Sequence, residues 1–461
     1  MVGILFWCAA LAALPFPSRA QQAVPSVETV IRLNVQPMAA PKPALRYLLL
    51  PDLKEMNPGN PIPNYLKCTM EPDFFDRETF GRSALRLVDR AARLDKPDWQ
   101  ILMKVKTDGV SLLLPDVQKM RSLANGLQRR FRDEIALRHF DDALVTARTM
   151  FAMSRHMNEH PTLIGDLVGI AIAFVAIGPM EEMLEQPGCP NLYWALTNLP
   201  SPLVSLEKGI EGERSLIQGE LHDLDDSAPM SVERLRKVIA HIDELKQLDE
   251  MKRVRDKVTQ AWLDARTKND GSLRAARRRL VEVGIPEARL LRFPDDQVIL
   301  LDEKREYEVR RDEIMKLMPL PAWQVEALWS ERKPAPESAL LGFLVPGVER
   351  VRRAQGRLEQ RIALLRHVEG LRLYAAAHEG RLPEKLADVP VPLPDDPFTG
   401  KPFRYKLEGG TARLRGTPPP SQGAAGAADC PAAARRSPAP LRFGARGRTA
   451  REPVRDSRTV A

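Results

Sequence analysis

The residues from Leu163 to Leu184, LIGDLVGIAIAFVAIGPMEEML, set the architecture of this chain. They are apolar on most faces of a helix, and a helix without a polar face has to be covered on every side. The most apolar part, Leu167–Gly178 (LVGIAIAFVAIG), is twelve residues long and closes at Pro179. A membrane span needs about 20 residues of helix, so a run of this length reads as a buried core helix. Pro161-Thr162 marks its start and Pro187-Gly188 its end.

The neighbouring segments supply the cover. Asp116–Leu137 places Val117, Met120, Leu123, Leu127, Phe131 and Ile135 at steps of three and four, one apolar stripe on a helix. A second helix restarts at His139-Phe140-Asp141-Asp142-Ala143 and runs to Asn158, with Asp141 as its expected N-cap. Pro190–Leu199 (PNLYWALTNL) is a short fourth helix, with Tyr193-Trp194 in the core. Such short connections make neighbouring helices antiparallel. Val232–Lys268 reads as one charge-rich helix striped by Leu235, Ile239, Ile242, Leu245 and Leu248, ended by Asn269-Asp270-Gly271. After Pro346 a long helix runs to Glu379. Its Val348, Val351, Gln355, Leu358, Ile362 and Leu365 form the narrow seam of a coiled-coil-like contact. Gly380 is its expected left-handed cap. Phe403–Leu407 and Thr411–Arg415 flank Gly409-Gly410, a β-hairpin signal. The expected fold is mainly α: an antiparallel helical array, helical-hairpin or solenoid-like, with a small C-terminal α+β hairpin cap. No firm internal repeat is present.

The first twenty residues, MVGILFWCAALAALPFPSRA, read as a signal peptide. An apolar run from Ile4 to Leu14 precedes Pro15, Pro17 and the small-x-small ending Ser18-Arg19-Ala20, although no Lys or Arg precedes Ile4. The mature chain is expected to start near Gln21 and to be exported to the periplasm or cell envelope, or secreted. Residues 21–110 form an irregular, proline-broken arm with extended candidates at Thr29–Val35 and Ala44–Leu50 and a short helix near Ser83–Leu94. Residues 111–200 are the helical core, 201–333 a charged long-helix region, and 334–416 the long helix plus hairpin.

The formal net charge of the 461 residues is +8, but Thr417–Ala461 alone holds eight Arg against three acids. The body is therefore nearly balanced, and its charges alternate along helices as on solvated faces. That excludes the basic stripe of a nucleic-acid binder. Residues 417–461 lack Lys, Ile, Tyr and Trp and open on Pro418-Pro419-Pro420. This is the composition of disorder, and equally of an out-of-frame reading. Beyond Cys8 and Cys430, two cysteines remain, Cys68 and Cys189, either a disulfide or two separate structural thiols.

Gly370–Gly416, GLRLYAAAHEGRLPEKLADVPVPLPDDPFTGKPFRYKLEGGTARLRG, resembles the C-terminal part of the type II secretion pseudopilin (G-type) globular domain. The matching positions run from Gly380, Leu382 and Pro383 through Asp396, Pro397 and Gly400 to Pro402, Phe403 and Tyr405. The resemblance implies a local helix–loop–strand-pair fold, not pilus assembly, because the pseudopilin leader and membrane helix are missing. The chain as a whole, especially Ala44–Tyr65 and Leu163–Tyr193, is similar to a broad group of uncharacterised exported bacterial helical proteins, to which no activity is attached.

One string could carry chemistry: His156-Met157-Asn158-Glu159-His160, an H-x-x-E-H pattern. In inverzincin peptidases two such histidines bind zinc and the glutamate activates water. Under that alternative His156 and His160 are ligands, Glu159 is catalytic, zinc is the cofactor, and Glu182 or Glu233 would be the third ligand by position. Pro161 follows at once and puts the string on the last helical turn, where a solvated helix end is the simpler reading. His139 with Asp141 and Asp142, Glu181-Glu182, Asp395-Asp396 and Arg277-Arg278-Arg279 read as helix starts, surface pairs, a turn and a wet helix face. The expected function is a non-enzymatic binding or scaffold role in the cell envelope. It implies protein partners, no cofactor, no nucleic acid and no stable transmembrane anchor in the mature chain.

Overall fold

The computed structural model describes residues 31–70, 82–112, 114–249, 258–330, 339–344, 347–419 and 442–443. The expected leader and almost all of the expected disordered tail lie outside them. The fold is mainly helical. In chain order the helices are α1 (Ile62–Cys68), α2 (Arg82–Ala91), α3 (Leu102–Asp108), α4 (Pro115–Ala136), α5 (Phe140–Met157), α6 (Leu163–Leu184), α7 (Tyr193–Thr197) and α8 (Glu207–Glu220). They continue as α9 (Val232–Asp249), α10 (Val258–Thr267), α11 (Asp270–Glu282), α12 (Glu287–Leu290), α13 (Asp295–Met315), α14 (Ala322–Ser330) and α15 (Val348–Ala377). The strands are β1 (Asn34–Val35), β2 (Arg404–Glu408), β3 (Thr411–Arg415) and β4 (Arg442–Phe443).

Helix α6 is the axis. Its N-cap Thr162 accepts the Gly165 N–H, and the helix runs on through Pro179 to Leu184. At 22 residues it is long and apolar enough to cross a membrane, yet 78% of its most apolar window is buried inside the protein. Helices α4, α5 and α15 pack around it. The predicted α4 stripe is buried from Val117 to Ile135. The α15 seam residues Val348, Val351, Gln355, Leu358 and Leu365 are buried in this chain's own core, with Ile362 packed against it.

Two apolar cores result. The first joins residues 33–206 to α14, α15 and the hairpin, and the second is built from α9–α13 with Leu340, Leu341 and Leu344. Helix α8 bridges them, with Leu216 in one and Ile217 in the other. β2 and β3 pair antiparallel from Arg404↔Arg415 to Glu408↔Thr411, around Gly409 and Gly410, both left-handed.

Several expectations fail for physical reasons. Val232–Lys268 is two helices, not one. The Thr259 N–H donates to Asp243 Oδ1 at 3.1 Å, whereas a continuous helix would hold residues 16 apart about 24 Å away. Asn269 ends nothing alone: its side chain accepts the Ser272 N–H and caps α11. Asp141 is not the α5 N-cap. That position is His139, with no side-chain cap bond, and Asp141 sits in the first turn. Ala44–Leu50 forms bends instead of a strand. Its Leu49 is buried, and its Leu48 carbonyl accepts from Arg148, which takes the place of a strand partner. Of the candidate Thr29–Val35, residues 29 and 30 lie outside the described residues, and among 31–35 the strand is Asn34–Val35, paired in parallel with Arg442–Phe443. Gly380 is left-handed at φ +84°, and Glu379 before it is left-handed too.

The arm is fastened to α15 at Arg372, whose carbonyl accepts the Met38 N–H and whose side chain is held by a buried ion pair within the helix. Arg372 Nη1 lies 3.0 Å from Glu369 Oε2, both almost wholly buried, and Arg372 also donates to the carbonyls of Gln36 and Cys189. Cys68 and Cys189 are both buried, and the structure draws no disulfide between them. Burial pushes the Cys189 thiol up to about 12.

Candidate functional site

In the structure the side chains of the H-x-x-E-H string have separate partners. Helix α5 ends at Met157, so His160 falls beyond the last turn and the four-residue spacing no longer puts both rings on one helix face. The helix end is not solvated either: His156 is 8% exposed and His160 only 1%. His156 Nδ1 shares a 2.8 Å hydrogen bond with Tyr65 Oη, and His160 Nδ1 shares one of 2.8 Å with Thr162 Oγ1. Burial, aided at His156 by the Arg155 charge, pushes both imidazoles down to about 4, so they are neutral near pH 7. Glu159 turns away into an ion pair with Lys208. Glu182 is clasped by Arg132, and Glu233 lies in the first turn of α9. Among the described residues no group of three or more His, Cys, Asp or Glu is arranged to hold a metal ion.

His160 nevertheless lies in a half-open cleft of about 610 Å³, between α3, the segment leading into α4, and the end of α5. Trp99 forms one wall. Its ring meets His160 edge-on, with centroids 4.9 Å apart, and its Nε1 donates to the His156 carbonyl at 3.1 Å. The indole is thus held by the last turn of α5. Lys104 from α3 lines the same cleft, as do Asp108, Asp116 and Leu112. The cleft also receives the positive end of α4, which begins at Pro115 with no side-chain cap. It therefore offers an aromatic wall, an apolar floor and charges of both signs.

Behind His160 is an unusual carboxyl group. Asp166, in the first turn of α6, is fully buried, and neither of its oxygens has a hydrogen-bond partner. Burial, with the charges of Glu213 and Glu159, holds its pKa well above the carboxylate range. Burial also pushes Glu213 up to about 7, partly offset by a hydrogen bond from the Leu163 backbone. Helix α8 can approach this closely only because Gly209 and Gly212 lack side chains. A Cβ would lie 2.0 Å from Asp166 Oδ2 at Gly209 and 2.1 Å from the Pro161 carbonyl oxygen at Gly212.

The other singled-out groups are structural. Glu181 is buried rather than on the surface, in a two-pronged ion pair with Arg361 at 2.6 and 2.7 Å. Asp396 organises its loop by accepting the backbone N–H groups of Phe398 and Thr417 and a Gln360 amide proton. His139 stays near Asp142, 3.8 Å away, on an exposed helix start. Tyr193 is buried as expected.

Sequence reasoning missed Trp99 and Asp166. A lone Trp in a proline-broken arm carries no periodic signal. The spacing Gly209-x-x-Gly212 was a readable sign that another backbone approaches α8 closely. Comparison with family models, with curated proteins and with solved structures found no match to this chain.

Proposed function

We propose that this chain is an exported, non-enzymatic binding protein of the cell envelope, and that the cleft at Trp99 and His160 is where it holds a small amphiphilic molecule. One observation carries the reading. A cleft of about 610 Å³ falls within the size range of small-molecule sites. Its wall is an indole fixed by a hydrogen bond, so it is rigid before any ligand arrives. The neutral, internally bonded histidines favour binding over acid–base chemistry, since neither is poised near neutral pH. The signal-like leader supports an address outside the cytoplasm.

The test is native mass spectrometry of the chain recovered from envelope fractions, beside the variant Ser111→Trp, which places an indole in the cleft. A small molecule retained by the wild type and lost from the variant supports the reading. Equal occupancy in both, or none in either, overturns it. Stoichiometric zinc lost on His156→Ala would replace it with the zinc-hydrolase reading. N-terminal sequencing of the same sample should begin near Gln21.

A further inference from the structure

The cleft at Trp99 and His160 has two walls, and α8 meets both. On the side of His160, Gly212 lies against the Pro161 carbonyl and Lys208 pairs with Glu159. The other wall is the end of α3 and the short turn Gly109–Ser111, which bring Thr107, Asp108, Ser111 and Leu112 to the lining. Helix α8 reaches this wall with its last residue, Glu220.

The Val110 N–H donates to Glu220 Oε1 at 2.7 Å, and Glu220 Oε2 shares a 2.7 Å hydrogen bond with His241 Nε2 of α9. Both carboxylate oxygens are thus engaged, and the side chain is only 11% exposed. The approach is close enough to restrict the turn. Gly109 is left-handed at φ +53°, and a Cβ there would lie 1.9 Å from Glu220 Oε1. A carboxylate at the end of α8 opposes the helix, whose C-terminus is the negative end of its dipole. What stabilises Glu220 there is therefore its bonds to Val110 and His241, not α8 itself. Val110 is buried in the second core with Ile217 and Leu221, whereas Leu112 belongs to the first. The wall is shared between the two cores, and Glu220 is a polar contact that fixes it.

We propose that Glu220 is a positioning residue of the cleft: its carboxylate sets the wall at residues 107–112 against the His160 wall, and His241 anchors that carboxylate to the second core. The inference rests on the reading of the cleft as a small-molecule site. Neither Glu220 nor His241 is among the lining residues, so both act through the turn rather than by touching the ligand. Removing the carboxylate leaves the buried Val110 N–H without its acceptor, which favours a shift of the turn. A wall that the ligand must first set in place lowers affinity.

The experiment uses the purified full chain and the amphiphilic dye anilinonaphthalene sulfonate. Cleft binding is the dye fluorescence that Ser111→Trp removes in each background. Glu220→Ala should weaken cleft binding about tenfold and speed amide hydrogen exchange in peptides covering residues 107–112. Glu220→Gln keeps an oxygen for the Val110 N–H and should restore both. Gly109→Ala drives a methyl group against the carboxylate and should weaken cleft binding in the same sense, which keeps the test decisive if Glu220→Ala does not fold. Cleft binding unchanged in Glu220→Ala or in Gly109→Ala overturns the inference alone, as does a loss that Glu220→Gln fails to reverse. If Ser111→Trp removes none of the wild-type signal, the reading of the cleft falls, and the inference falls with it.

Discussion

Replacing His160 with Asn tests whether the floor of the cleft is built as the structure has it. Asn retains a group able to bond Thr162 and removes a ring that titrates. Burial pushes His160 from 6.5 down to about 4 in the folded chain. Between those pH values the unfolded chain binds a proton that the folded chain refuses. The stability due to His160 is therefore complete above pH 6.5 and is lost as the pH falls toward 4. One such group changes stability by about 1.4 kcal/mol per pH unit, or about 3 kcal/mol over the whole window. His156 acts in the same sense. Glu213, raised from 4.5 to about 7, acts in the opposite sense: its contribution is complete below pH 4.5 and is lost as the pH rises to 7. Asp166 has the same direction as Glu213. The wild-type curve is flattened by these opposed groups, so the informative quantity is the gap between wild type and His160→Asn. Urea unfolding followed by tryptophan fluorescence at pH 7, 6, 5 and 4.5 measures it. At pH 7 the gap is the packing lost against Trp99. By pH 4.5 it should have narrowed by about 2–3 kcal/mol. A gap that stays constant with pH would falsify the buried, neutral His160.

Other outcomes follow from the same structure. Glu369→Ala strands the charge of Arg372 in the core and should destabilise the chain by about 3–5 kcal/mol in urea unfolding; a loss below about 1 kcal/mol, the worth of an exposed pair, would contradict the burial of that pair. Gly212→Ala gains about 1 kcal/mol of helix propensity but drives a methyl into the Pro161 carbonyl, for a net loss of about 1–2 kcal/mol. Gly219→Ala on the same helix meets no atom within 4 Å and should be neutral or stabilising; equal effects of the two substitutions would refute the close approach of α8. Cys68 and Cys189 should resist iodoacetamide in the folded chain and react in denaturant, as read by mass spectrometry; alkylation of Cys189 under native conditions would place its thiol at the surface.

How far the fold was readable varies with the kind of signal. The α4 stripe and the all-round apolar α6 were legible because a helix records its buried side every three or four residues. The hairpin was legible because Gly409-Gly410 permits the left-handed backbone that the turn needs. The fold-back between α9 and α10 was not, because a heptad-like stripe looks the same on either side of a turn. The spacing of the H-x-x-E-H string was misleading for a related reason. Its spacing has chemical meaning only if the helix continues, and α5 stops at Met157, before His160.

The sequence by itself determined that the segments of α4, α5, α6 and α15 are helical, which of their faces are apolar, and that α6 must be enclosed, since these depend on residues a few positions apart. Only the tertiary structure decided that Trp99 stands over His160, that Asp166 is buried without a partner, and that Arg372 gathers carbonyls from Gln36 and Cys189. Those contacts join residues distant in the chain, and their energies depend on how fully neighbouring helices exclude water. No local pattern records that.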